Sequence, residues 1–408
     1  MAYFLRLELE DWQQFRAIDI EFHNRLTVLT GANGSGKTTI LNLLGRHAGW
    51  NVPSLAVPVL TTTAGIIRFV TRLLGLSDRS ESTIGTLTYD TKHPAGLLVP
   101  HDTSAAYQIA IQGQQEVSCF FLPSHRAVYR YQPVGQIPVT RIDKRQAFDR
   151  VSSSVRNRFM GGGGDNSPSY HMKEILIAWS IFGRGNPDMA ADEELLSFYH
   201  GFQATLRLVL PPTLGFRRLA IRKAEVVAEC ETGEFLIDAF SGGLSAIIDL
   251  AWQVFMFGAG TDQGFTVLID EVENHLHPVM QKRVLSDFLK AFPHVRFIVS
   301  THSPLIVTSV RDAFVYALRY DTQRRVSATR LDVVNHAKTA TQILDEVLGV
   351  SSTLPLWAEE DLQRIVDAFT SGPLDEQRFS ELRRQLTKIG LGDYLPQALG
   401  KLLDSRTS

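Results

Sequence analysis

The feature that most constrains this chain is the octet Gly31-Ala32-Asn33-Gly34-Ser35-Gly36-Lys37-Thr38, which fits G-x-x-x-x-G-K-[ST]. It follows the apolar run Leu26–Leu29 and precedes a helical pattern over Thr38–Arg46, so it occupies a strand-to-helix turn. Glycines in such a turn let backbone N–H groups wrap an anion, and the helix N-terminus favours negative charge. Lys37 is placed to neutralise β- and γ-phosphate oxygens, and Thr38 to ligate Mg²⁺. Gly31, Asn33, Gly34, Ser35, Gly36, Lys37, Thr38 and the adjoining Thr39 are therefore the expected ATP-binding residues. A turn of this kind requires an α/β fold with parallel strands.

A second apolar run, Phe265–Ile269, ends in Asp270 and Glu271. Adjacent carboxylates after a strand are ordinarily a solvated loop. With a phosphate-wrapping loop upstream, Asp270 is expected to share Mg²⁺ with Thr38, and Glu271 to polarise the attacking water. The next buried strand, Phe297–Ser300, leads to His302, placed to reach a γ-phosphate. Ser241-Gly242-Gly243 precedes a helix over Leu244–Met256. On its own it reads as a common helix cap. Its functional reading is a second anion site, with the Ser241 hydroxyl and the glycine N–H groups facing a phosphate.

The 408 residues allow two to three domains. Hydrophobic residues at 44% and charged residues at 21% exclude a disordered chain or a coiled-coil rod. A net charge of −2 advertises no nucleic-acid partner, so any basic surface is local. The eight basic residues of positions 126–158, Arg126, Arg130, Arg141, Lys144, Arg145, Arg150, Arg156 and Arg158, form one such stretch. Tyr129, Tyr131 and Phe148 interleave with them, a composition that suits DNA as readily as a solvated or subunit-facing surface. Two cysteines suit a reducing compartment, and the amphipathic start and broken apolar runs imply a cytoplasmic protein with no membrane span. Paired strands are expected at 3–10 and 17–22, a helix near Ala64–Leu74, and strands near Gly85–Tyr89, Tyr107–Ile111 and Phe120–Leu122. Further on come helices at 169–182 and 191–209, strands over Leu219–Cys230, and strand, helix, strand at 265–270, 278–290 and 296–300. The expected divisions are an N-terminal lobe at 1–160, a flexible loop and helical insertion at 161–214, a C-terminal lobe at 215–337 and a helical tail at 338–408.

These motifs, in this order, resemble the ABC-type ATPase head of the SMC, Rad50, RecF and OLD group. The matching parts are the loop Gly31–Thr38, the signature Phe240–Gly243, the acidic strand Val267–Glu271, the run Asn274-His275-Leu276-His277-Pro278 and the switch His302. Ile269–Pro278 looks like the I-D-E-P-E-x-x-L-H-P of the OLD-like branch, with Val272 in the place of proline and Leu244 where the signature usually has Gln or Glu. The resemblance implies a P-loop parallel sheet with an antiparallel β subdomain, a helical insertion and a helical tail. It also implies a glutamine between loop and signature, for which Gln132 is one candidate among several.

The resemblance further implies that the signature of one chain closes over the P-loop of another, in a homodimer or higher homo-oligomer. The interval between Lys37 and Ser241 leaves no room for long coiled coils, and the stretch after His302 shows neither a Glu-Gly turn nor Asp-x-Asp, so no nuclease site is expected here. Coil-less OLD-like ATPases of this build resemble those of antiphage systems such as Septu and PARIS. That likeness implies a separately encoded effector, such as a nuclease, under ATPase control. The competing expectation is a RecF-like repair ATPase that binds DNA itself.

Overall fold

Strands covered on both faces read as continuous apolar runs, and four segments of this chain do so. The computed structural model describes residues 1–60, 67–70, 81–100, 105–126, 129–163, 166–258, 264–331, 356–370 and 375–407. The chain opens with β1 (Phe4–Trp12), β2 (Phe15–Glu21), β3 (Leu26–Gly31) and α1 (Lys37–Gly45). Strands β4 (Ser54–Leu55), β5 (Val57–Leu60), β6 (Ile67–Val70), β7 (Glu81–Tyr89), β8 (Pro94–Pro100), β9 (Ala106–Tyr107), β10 (Ala110–Gln112) and β11 (Cys119–Leu122) follow. Helix α2 (Lys144–Phe159) follows, and α3 (Pro168–Arg184) and α4 (Glu193–Val209) lie in the expected insertion. The hairpins β12 (Phe216–Arg222), β13 (Glu225–Cys230) and β14 (Gly233–Leu236) lead to α5 (Gly242–Phe257). Then come β15 (Thr266–Ile269), α6 (Pro278–Gln281), α7 (Val284–Ala291), β16 (Arg296–Thr301), α8 (Pro304–Val307), β17 (Phe314–Tyr320) and β18 (Val326–Arg330).

Among the described residues one eleven-stranded sheet has the order β10-β8-β7-β1-β2-β18-β17-β3-β16-β15-β11. From β17 to β11 every pairing is parallel, whereas β10 to β2 are antiparallel. β3, β11 and β15 are buried at every residue. The antiparallel half alternates, with Leu7, Leu9, Leu87 and Leu97 inside. α5 is apolar nearly all round and correspondingly buried, packing against α2 and α4.

The chain divides into two compact units, Met1–Ile343 and Leu344–Ser408. In the second, α9 (Leu356–Phe369), α10 (Glu376–Lys388) and α11 (Leu395–Thr407) enclose Leu362, Val366, Leu382, Leu386, Ala398 and Leu402. Among the described residues no helix is long and apolar enough to cross a membrane.

Three sequence expectations are corrected. The helix near Ala64–Leu74 is contradicted where it is described: Ile67–Val70 is a strand antiparallel to Val57–Leu60, as its β-branched and aromatic residues favour, and the rest lies outside the described residues. The helix at 278–290 is two helices, α6 and α7, separated at Lys282–Arg283. The expected strand over Tyr107–Ile111 is the two short strands β9 and β10, which pair with different partners.

Leu29, fully buried in β3, tests the core. Leu29→Ala should lower stability by roughly 2–5 kcal/mol, whereas Val139→Ala, at a side chain 88% exposed, should stay within about 0.5 kcal/mol. Urea titration of both variants checks the contrast; equal shifts would refute it.

Candidate functional site

The parallel register decides where the motifs meet. β3 pairs with β16 (Thr30 opposite Thr301), β16 with β15 (Val299 opposite Ile269), and β15 with β11 (Ile269 opposite Leu122). The four strands therefore end at one level, and the loops leaving them carry Lys37, His302, Asp270 with Glu271, and Arg126. Open α/β sheets bind ligands at this carboxyl edge.

The glycine loop is shaped by backbone conformations that side chains resist. Gly36 caps α1 at φ +93°, and a Cβ there would lie 2.4 Å from Phe15 and Gln14. Lys37 is buried, and its Nζ donates to the carbonyls of Gly31 (2.9 Å) and Ala32 (3.0 Å). Burial pulls its ammonium down to about 8, against the opposing pull of Asp270 and Glu271. Ser35 and Gly36 are buried; Asn33, Gly34 and Thr38 are exposed.

Thr38 Oγ1 donates to Asp270 Oδ2 at 2.9 Å, which brings the octet and the acidic strand together. Ser300 Oγ donates to Asp270 Oδ1 at 2.6 Å and accepts from the Glu271 N–H at 2.8 Å. Burial raises the Asp270 carboxyl above its usual range, opposed by those two hydroxyl bonds. A hydroxyl and one carboxylate side by side are the hard oxygen donors that Mg²⁺ takes from a protein that leaves its remaining positions to phosphate and water. The donor set fits the ion.

Glu271 adopts φ +47°, the left-handed region uncommon for a residue with a Cβ. Its Oε2 accepts from Asn274 Nδ2 (2.9 Å), which also donates to the Ser124 carbonyl (2.9 Å). Its Oε1 lies 3.7 Å from His302 Nε2. Burial, and then the charge of Lys37, push the His302 imidazole below its ordinary value and so toward its neutral form. Glu273 accepts from the His302 N–H.

The structure thus brings Lys37, Thr38, Asp270, Glu271 and His302 together. Ser241, Gly242 and Gly243 stand apart: no described hydrogen bond joins them to the P-loop of their own chain. Ser241 is exposed and caps α5 with no side-chain bond, and a Cβ on Gly242 would meet nothing within 4 Å. Just upstream, Lys173 of α3 is fully buried and binds Asp238 and the Gln132 carbonyl (2.6 Å). The Gln132 side chain accepts from the Ser167 N–H at 2.6 Å.

Sequence reasoning missed Ser300 and the backbone role of Arg126, whose Nη2 donates to the carbonyls of Asp270 (3.3 Å) and Glu271 (3.0 Å). A serine inside a β-strand carries no distinguishing signal, and the strand and turn Phe121–Arg126 set Arg126 near the nucleotide without reporting a bond to backbone. Most of that stretch is committed internally. Arg141 binds Asp192 and Glu194, Arg145 lies 3.6 Å from Asp149, Arg150 lies 3.7 Å from Glu174, and Arg158 reaches the Asn166 carbonyl. Lys144 sits 3.7 Å over the Phe255 ring, and Tyr129 and Phe148 are buried.

Two protein-family models match parts of the chain. One, described as "AAA domain, putative AbiEii toxin, Type IV TA system", covers residues 231–308; the other, "AAA domain", covers residues 6–51. The Septu protein PtuA of Bacillus mycoides is 28% identical over 153 residues, 36% of this chain and 21% of that protein. The Retron Vc95 probable ATPase of Vibrio cholerae is 50% identical over 44 residues, 11% of this chain and 9% of that protein. The Retron Ec83 probable ATPase of Escherichia coli is 28% identical over 144 residues, 31% and 26% respectively. The matched segments therefore span about a quarter or less of these relatives' own lengths. Among solved structures, the SMC head domain from Thermotoga maritima gives a TM-score of 0.42 at 15% identity, covering 81% of this chain and 99% of that one. Strand order and motif placement give an α/β fold, and the two family matches fall on the segments that carry the glycine loop, the acidic strand and His302.

The buried lysine makes anion binding proton-linked. Below about pH 8 Lys37 already holds its proton; above it, a triphosphate must restore that proton, so affinity should fall by up to tenfold per pH unit. Calorimetry of ATP·Mg²⁺ binding at about pH 7 and about pH 9, in buffers of differing ionisation enthalpy, should show proton uptake only at the higher value. Equal affinity at both would remove the linkage.

Proposed function

We propose that this chain is the ATP-hydrolysing subunit of an antiphage defence system, which assembles through shared nucleotide sites and controls a separately encoded effector. The observation that carries the ATPase reading is the junction of Thr38 with Asp270 at 2.9 Å, with Glu271 fixed beside it. The likeness to Septu and retron ATPases supports the defence setting.

In this reading the loop N–H groups and Lys37 hold the β- and γ-phosphates of ATP. Thr38 and Asp270 would hold Mg²⁺, which when bound neutralises charge on the same oxygens. Glu271 takes a proton from the water that attacks the γ-phosphorus; the bond to the β-phosphate oxygen breaks, leaving ADP and phosphate. Asn274 occupies one carboxylate oxygen of Glu271 and leaves the other toward His302. Neutral His302 donates to the γ-phosphate. The uncommitted Ser241 hydroxyl and the open face at Gly242 serve a nucleotide held by another chain. The effector carries whatever nuclease chemistry the system has. The likeness to Septu and retron ATPases favours this setting over a DNA-binding repair role.

Glu271→Gln removes the base and keeps the shape, so ATP should remain bound while single-turnover hydrolysis falls at least a hundredfold. Turnover near the unmodified rate would transfer the role to Glu273.

Composite sites are tested by mixing two inactive variants. Lys37→Ala should abolish ATP binding; Ser241→Arg should bind ATP and fail to hydrolyse it. Mixed assemblies hold one site with both lesions and one with neither, so activity should partly return. Normal hydrolysis by Ser241→Arg alone would eliminate the shared-site arrangement. Co-purification with the product of the adjacent gene, weighed with and without ATP, tests the effector: no complex in either state would leave the ATPase without that partner.

A further inference from the structure

Glu271 holds an unfavourable backbone conformation, and four hydrogen bonds keep it there. Its N–H donates to Ser300 Oγ, its side chain accepts from Asn274, and its carbonyl accepts from Arg126 Nη2 at 3.0 Å and from the Asn274 N–H at 3.1 Å. The first two come from β16 and from Glu271's own loop; Arg126 alone comes from the loop after β11. Removing it leaves that carbonyl with only the Asn274 N–H of its own loop and takes away its tie to the neighbouring strand's loop.

Arg126 has a second side. Its Nε and Nη1 are buried and make no hydrogen bond among the described residues. Arg126 lines a cavity of about 90 Å³ together with Tyr129, Phe240, Ser245, Asp249 and His275. Asp249, on the second turn of α5, is 7% exposed; its Oδ2 accepts from Gln253 at 2.9 Å, and its Oδ1 is buried with no partner among the described residues. A residue with unpaired buried donors and a residue with an unpaired buried acceptor, among the described residues, thus line one cavity. Burial raises the Asp249 carboxyl to about 6, and the Arg126 charge is the first influence opposing that rise. The cavity is large enough for bridging water, which would satisfy both groups.

We propose that Arg126 is a positioning residue for the general base, holding the Glu271 peptide in its left-handed conformation, and that Asp249 is the buried counter-charge that keeps the guanidinium in place. The start of the signature helix and the base are thereby joined inside one chain through a single side chain. This rests on the ATPase reading, with Glu271 as base.

The test uses full-length Arg126→Gln, Arg126→Lys, Asp249→Asn, Glu271→Gln and the double variant Arg126→Gln/Glu271→Gln. ATP·Mg²⁺ affinity and single-turnover hydrolysis are measured for each. Arg126→Gln should bind ATP within about threefold of the unmodified chain and lose hydrolysis about a hundredfold, while Arg126→Lys, which still donates to the carbonyl, should recover about a tenth of the rate. The double variant should be no slower than Glu271→Gln alone, because both lesions act on one group. Asp249→Asn should slow hydrolysis about tenfold at unchanged affinity, and it carries the test if Arg126→Gln does not fold. Hydrolysis by Arg126→Gln or Asp249→Asn at the full rate, or loss of affinity in step with rate, overturns the proposal. If Glu271→Gln is inactive while Arg126→Gln is not, only this inference falls. If Glu271→Gln itself hydrolyses ATP normally, the assignment of the base falls with it.

Discussion

The site depends on one constraint, the parallel register that ends β3, β16, β15 and β11 at a common level. Slipping one strand by a residue would invert its side chains and carry its terminal loop along the sheet. The register is protected because each of these strands is buried, so no face can trade places with solvent at low cost. The polar groups at the edge come after the apolar runs that fix it. Burial makes the scaffold, and the scaffold sets the distance between Thr38 and Asp270.

Electrostatics at that edge is dominated by loss of water. Lys37, Asp270 and His302 are all displaced toward their neutral forms, with burial the largest cause in each case. Groups of opposite sign lie near one another, yet their attraction does not cancel the desolvation. A bound anion and its cation would supply the charge that these groups lack among themselves.

How much of this was legible in the sequence varies with the range of the interaction. The octet, the acidic strand and the paired first strands follow from local spacing, and the structure places each within a residue or two of expectation. β17 and β18, which complete the sheet beside β3, went unread because Phe314–Tyr320 interrupts its apolar run with Arg319 and has no strong flanking motif. α2 was read only as charge, although Asp143 and Gln146 form a capping box at its start. The strain at Glu271 was invisible, since no residue type announces a positive φ in a glutamate. Ser300 and Arg126 act through bonds to groups far away in sequence, and spacing cannot report such bonds.

The buried Lys173–Asp238 pair has a consequence for how such a chain can diverge. It ties α3 of the insertion to the short turn that delivers Ser241. Losing one member of a buried ion pair strands the other, at roughly 3–5 kcal/mol. Substitutions on the exposed faces of α3 and α4 should therefore cost far less than any change at Lys173. Tolerance in this part of the chain follows depth: the surface can vary while the ion pair beneath it cannot lose one member alone.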